Sequence, residues 1–263
     1  MNAQNNQPKS KQFYWKIEDL WEKYYEKTEE KISNFFDFTP SQTPVFFDDN
    51  ENNKPYFGLK NDAQIINKNK KEIFLTDNHH KVFSFLFDQF LKNKEKIILI
   101  HIDAHRDNAI FQNYEKCKIE IDEVKIFLKN IENMGEKYFL ENVEKIKNNI
   151  NIIQNNCRIS DYLDIALHLG FVEKIISVTQ TSEFQNELKY FENKGVIENE
   201  TKTKNIILNL DIDIYGPEGE AVSVDLKTEV IAKNWKGANA VCIATSPAFI
   251  HEDVAEKIIS IFV

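Results

Sequence analysis

Beyond residue 72 the chain alternates between short runs of consecutive apolar residues and longer segments whose apolar positions recur at helical spacing. The runs at 73–75, 97–100, 175–178, 206–208 and 241–243 are rich in β-branched residues, which favour strands. They are continuous rather than alternating, and that pattern predicts strands covered on both faces. Helical spacing marks 82–92, 123–148 with a break near Gly135, 161–169 and 252–261. Strands alternating with helices predict βαβ crossovers, so the expected fold is α/β, a three-layer sandwich with a mostly parallel central sheet.

The first 70 residues follow another pattern. Trp15, Ile17, Leu20, Trp21, Tyr24 and Tyr25 recur at helical spacing and predict an amphipathic helix over 15–36, with the aromatic stripe packed against the core. Residues 1–11 are polar and read as a disordered tail. The stretch 37–55 reads as loop with one strand at 45–47, and 67–71 as a polar hinge. Glu26, Glu29 and Glu30 read as a solvated helix face. There is no internal repeat. A length of 263 residues suits one core, so the expectation is a single domain over 1–263, with 12–70 an N-terminal extension packing on it.

Composition narrows the function. The formal charge of −9 argues against a nucleic-acid partner, which needs a basic face, and favours a cationic substrate or a metal. Cys117, Cys157 and Cys242 are odd in number and widely spaced, as expected of reduced thiols in the cytoplasm. No apolar run reaches the roughly 18 residues of a membrane span, and no secretory signal is evident, so no membrane partner is expected.

The chemistry sits where the strands end, because ligands of an open parallel sheet bind at the carboxyl ends of its strands. One strand runs into Asp77-Asn78-His79-His80, another into Asp103-Ala104-His105-Arg106-Asp107, and a third into Asp211-Ile212-Asp213. Spacing of two places Asp103, His105 and Asp107 on one side of an extended segment, and Asp211 with Asp213 likewise. Four carboxylates so close resist ionisation unless cations lie between them, which predicts bound metal. His79 or His80 would add an imidazole, although either could instead cap a helix starting near Lys81. His101 reads as a buried, hydrogen-bonded strand residue, His168 and His251 as structural or exposed, and Arg106 as a surface ion pair or a contact to an acidic substrate group.

The run Asp103-Ala104-His105-Arg106-Asp107 resembles the D-A-H-x-D motif of the arginase, agmatinase and deacetylase superfamily, and Asp211-Ile212-Asp213 resembles its D-x-D motif. Pro217 holds the place of the family proline, whereas Gly216 stands where many members carry a third aspartate. The Asp-Asn-His start, the helix before Val172 and the run Ile243-Ala244-Thr245-Ser246-Pro247 are similar to the uncharacterised-protein family that includes peptide arginases. The resemblance covers roughly 73–260 and implies an arginase-like fold.

It implies two manganese ions per chain. Asp103 and Asp211 would bridge them, with His79 (His80 as the alternative) and Asp107 completing one site and His105 and Asp213 the other. Asp103, His105, Asp211 and Asp213 would be the catalytic set. The implied reaction converts arginine residues of a ribosomally made precursor peptide to ornithine with release of urea. Glu218, Glu220 and Asp161 are the candidates for gripping the guanidinium. No counterpart is evident of the loop that holds the amino and carboxyl groups of free arginine, which favours a peptide. Two other readings use the same residues: an amide hydrolase of the deacetylase type, usually with one zinc, and a non-catalytic metal-binding or interaction module.

Overall fold

The computed structural model describes residues 10–25, 35–48, 54–133, 135–194 and 205–263. Six strands form the main sheet: β3 (Gln64–Lys68), β4 (Lys71–Thr76), β5 (Ile97–Ile102), β6 (Val172–Val178), β7 (Asn205–Asp211) and β8 (Ala240–Ala244). They lie in the order β3-β4-β8-β7-β5-β6, and only β3 runs antiparallel to its neighbour. The expected α/β architecture with a mostly parallel sheet is therefore present.

Alternation along the strands builds two cores, one on each face. Phe74, Leu99, Ile207 and Cys242 point into a layer made by α2 (Val82–Asn93), α3 (Lys118–Asn130), α4 (Glu136–Gln154) and α5 (Tyr162–Leu169). Leu75, Ile102, Leu208 and Val241 point the other way, into α1 (Lys11–Tyr24), α6 (Thr181–Lys194), α7 (Val224–Gly237) and α8 (Glu252–Phe262). Both faces being covered explains why the strands read as unbroken apolar runs. The break expected near Gly135 falls between α3 and α4, with Gly135 as the N-cap of α4.

The N-terminal part departs from expectation. Helix α1 begins at Lys11, where the Ser10 side chain accepts from the Phe13 N–H, and ends at Tyr24 instead of running to 36. Phe36 is buried but not helical. Residues 1–9 and the acidic group Glu26, Glu29 and Glu30 lie outside the described residues. The aromatic stripe does pack: Trp21 is buried with its ring 4.4 Å from that of Phe262 and 5.3 Å from that of Trp235. Truncating such a side chain to alanine costs about 3–5 kcal/mol. Trp15 faces outward.

Segment 37–55 holds more order than a loop with one short strand. β1 (Pro40–Asp48) pairs antiparallel with β2 (Lys54–Leu59). The expected hinge at 67–71 is the tight turn of the β3–β4 hairpin, in which Asn69 and Lys70 both adopt positive φ, 52° and 64°. Two such residues fit a turn twisted to match the strands it joins. No helix among the described residues is long and apolar enough to cross a membrane.

Candidate metal centre

Four neighbouring strands, β4, β8, β7 and β5, deliver their carboxyl ends to one place. His79 follows β4, Ser246 follows β8, Asp211 ends β7 with Asp213 just beyond, and Asp103, His105 and Asp107 follow β5. Among the described residues two groups of side chains converge there, His79, His101, Asp103 and Asp107 in one and Asp103, His105 and Asp213 in the other. Asp103 belongs to both.

The inner group is sealed. His79 Nδ1 lies 3.4 Å from Asp103 Oδ2 and 3.2 Å from Asp107 Oδ2, and its Nε2 lies 2.9 Å from Asp211 Oδ2. Asp107 reaches the group from a backbone at φ 44°. His80, by contrast, joins neither group, so of the two histidines it is His79 that the fold brings to the acids. The outer group is more open. His105 Nδ1 lies 3.4 Å from Asp103 Oδ1 and 2.9 Å from Asp213 Oδ2, while its side chain is 37% exposed.

Backbone groups hold these acids in place. The His105 N–H donates to Asp103 Oδ1, the Asp213 N–H to Asp211 Oδ1 and the Ala104 N–H to Asp213 Oδ1. The Ser246 hydroxyl donates to Asp211 Oδ2 at 2.5 Å. Asp211 Oδ2 also stands 2.9 Å from His79 Nε2, beside the two convergent groups. Gly216, the departure from the family pattern, has a structural reason: a Cβ there would stand 2.9 Å from the Asp213 carbonyl oxygen and 3.0 Å from that of Phe249.

Burial would raise the carboxyl of Asp103, but His101, His105 and His79 outweigh it and hold it well below the usual carboxylate range. Burial and the nearby Asp211 push Asp213 well above that range. Burial would lower His79, yet Asp211, Asp107 and Asp103 raise it well above an ordinary histidine. The carboxylates of Asp103 and Asp213 push His105 up to about 11.

The remaining sequence candidates separate. Glu218 sits at the mouth, in contact with His105 Nε2, with its side chain 35% exposed. Phe249 lies beside the same histidine, ring centroids 4.9 Å apart. Glu220 is exposed on the turn Glu218–Ala221. Asp161 is fully buried and accepts from the Arg158 N–H at 2.7 Å, so it is withdrawn from any incoming guanidinium. Arg106 pairs with Glu183 at 2.6 Å. His168 meets Lys125 near Tyr114, and His251 caps α8. Cys117, Cys157 and Cys242 are free thiols.

Three residues the sequence left out of the site lie against it. His101 is fully buried beside Asp103, and Asn209 faces it from the paired position on β7. Tyr162 of α5 places its hydroxyl 2.7 Å from Asn209 Nδ2 and 3.3 Å from His79 Nδ1. A spacing signal for His101 existed, since it precedes Asp103 by two residues on one strand and so shares its face. A cleft of about 410 Å³ lined by Lys94, Glu95, Lys96 and Glu173 lies at the opposite, amino-terminal ends of the strands, away from both groups.

No family model matches the chain, and no curated protein matches it. Among solved structures it is similar to the crystal structure of Helicobacter pylori arginase, with 14% identity over 72% of this chain and 70% of that chain and a TM-score of 0.36.

Proposed function

We propose that the chain is a two-metal hydrolase of guanidinium groups that acts on arginine residues of a ribosomally made peptide in the cytoplasm, releasing urea and leaving ornithine. The observation that carries the reading is the pair of convergent groups sharing Asp103 at the carboxyl ends of parallel strands. The residues fit divalent ions on their own terms. Among the described residues, Asp213 Oδ2 is buried without a hydrogen-bond partner, although it lies 2.9 Å from His105 Nδ1. Atoms that close but not aligned on one another are arranged for something between them, and unmade bonds at buried polar atoms are otherwise costly.

His79, Asp103 and Asp107 would hold one ion, and Asp103, His105 and Asp213 the second. Asp211 faces His79 Nε2 and accepts from the Asp213 N–H. A donor set dominated by carboxylate oxygen suits manganese. The chemistry two such ions supply is activation of water at neutral pH and stabilisation of the charge that develops as the guanidinium carbon is attacked. Glu218 engages the far nitrogen of His105, as outer carboxylates do when they fix the ring of a metal-ligating histidine. Its exposure also leaves it able to meet a cationic guanidinium, with Glu220 further out on the rim. The acidic net charge draws the same substrate.

The reading is tested by supplying the manganese-reconstituted protein with an arginine-containing peptide and, separately, with free arginine. Peptide mass should fall by about 42 Da per converted residue, the difference between a guanidinium and the amine left by hydrolysis. Free arginine should react far more slowly. Turnover of free arginine alone would mark a metabolic enzyme, loss of an acyl group an amide hydrolase, and metal uptake with no turnover a binding module.

A further inference from the structure

The ring of His101 is fully buried, and its two nitrogens have different surroundings. Nδ1 faces Asn209 Nδ2 at 3.1 Å, across the register pair that β5 and β7 form. Nε2 lies 3.3 Å from Asp103 Oδ2 and 3.9 Å from Asp107 Oδ2, yet has no hydrogen-bond partner among the described residues. His79 reaches the same two oxygens with its Nδ1, at 3.4 and 3.2 Å. The two imidazoles stand nearly perpendicular, at 77°, with centroids 5.4 Å apart. His79 Nδ1 is within hydrogen-bond distance of Asp107 Oδ2, and one ligand atom from each of the four residues lies within 4.8 Å of the others.

The geometry points to His101 as a metal ligand, which makes the inner group a set of two imidazoles and two carboxylates that fills before the outer one. The inference rests on the two-metal reading above and changes its donor count. For Nε2 to bind an ion, Nδ1 must carry the ring proton and an acceptor must receive it. Asn209 supplies that acceptor. Its Oδ1 is buried without a partner among the described residues, and a half-turn of the amide brings that oxygen between His101 Nδ1 and the Tyr162 hydroxyl. The two orientations of an asparagine amide are told apart by their hydrogen bonds, and an ion on Nε2 selects the one with oxygen toward the ring. The outer group, by contrast, has His105 as its imidazole and opens toward solvent. The inner group offers four protein donors in a buried place and the outer three in a more open one, so the inner group takes the first ion.

The test uses full-length protein stripped with a chelator and titrated with manganese chloride. At one equivalent, X-ray absorption at the manganese edge should count two imidazoles per ion in the wild type, and the same two in Asp213→Ala, which lacks an outer carboxylate. His101→Ala should show one imidazole and weaken the first binding step by more than about a hundredfold, beyond the usual cost of losing an outer partner. His101→Gln keeps a polar group but no imidazole, and should not restore the step. One imidazole per ion in the wild type overturns the inference whatever the variants do. An unchanged first step in a folded His101→Ala protein does the same, and either result leaves a two-ion centre standing. Failure of the wild type to take up any ion removes both readings.

Discussion

The hydroxyl of Tyr162 lies 3.3 Å from Nδ1 of His79, tying α5 to the turn that follows β4. Burial pushes this phenol well above its ordinary pKa, and Asp107 and Asp103 push it further in the same direction. The oxygen therefore keeps its proton and acts as a neutral support for the cluster.

Tyr162→Phe removes that support while the ring continues to fill its place. Stability of the metal-free protein should fall by about 1–3 kcal/mol, the cost of leaving buried polar atoms unpaired. Manganese affinity should fall about 10–100-fold, because the same hydroxyl holds the Asn209 amide against the His101 ring. Denaturant unfolding and a metal titration read the two effects. A variant matching the parent in both would show that the hydroxyl supports neither the fold nor the ligand.

Metal uptake should release protons. In the metal-free protein His105 is pushed up to about 11 and His79 stands well above 6.5, so both are charged at neutral pH. An ion must displace those protons, and affinity should rise with pH. The fold responds with the opposite sign. A histidine raised on folding contributes stability that is fully present below its ordinary value of 6.5 and is lost as pH climbs toward 11. Calorimetry in buffers of different ionisation enthalpy measures the protons, and thermal unfolding of metal-free protein across the alkaline range measures the stability. Absence of proton release at pH 7 would mean that His79 and His105 are already neutral before the ion arrives.

A buried ammonium holds the loop beyond β7. Lys227 Nζ donates to the carbonyls of Ile214 at 2.7 Å and Gly219 at 3.0 Å, and it lies 5.1 Å from the centre of the Tyr215 ring. These contacts join the turn that carries Asp213 to the turn that carries Glu218. Lys227→Met should therefore cost about 1.5–3 kcal/mol, the range for hydrogen bonds to a charged group. Binding of the second manganese ion should weaken more than binding of the first. Thermal unfolding and a two-step titration decide it, and equal weakening of both steps would detach Lys227 from the outer group.

How much of this was legible in the sequence depends on the kind of signal. The runs at 97–100 and 206–208 marked the buried strands, and the spacing in Asp103-Ala104-His105-Arg106-Asp107 marked three of the six residues in the two groups. Helix α7 was hidden because buried Lys227, Thr228 and Asn234 interrupt its apolar stripe. In α6 only Phe184 is fully buried among the described side chains, while Leu188 and Phe191 are partly covered and Tyr190 is exposed, so the apolar stripe is weak. The β3 strand buries Ile66 and leaves its other positions partly or wholly open, so no continuous run announced it. Asn209 and Tyr162 could not be found from spacing, since their meeting depends on strand register and on helix packing across 47 residues of chain. Asp161, though acidic and close in sequence to Tyr162, was turned inward by the Arg158 N–H.

Asp107 occupies a left-handed backbone at φ 44°, which side chains other than glycine adopt at some cost, though aspartate bears it better than most. A glycine there would be more comfortable and would carry no carboxylate. Asp107→Gly and Asp107→Ala both lose the carboxylate beside His79, so without metal the glycine variant should unfold at a higher temperature than the alanine one, while both bind the first ion poorly. If so, the left-handed backbone at this position is kept for its carboxylate, at the expense of the fold's own ease. The position separates what the chain needs in order to fold from what it needs in order to work.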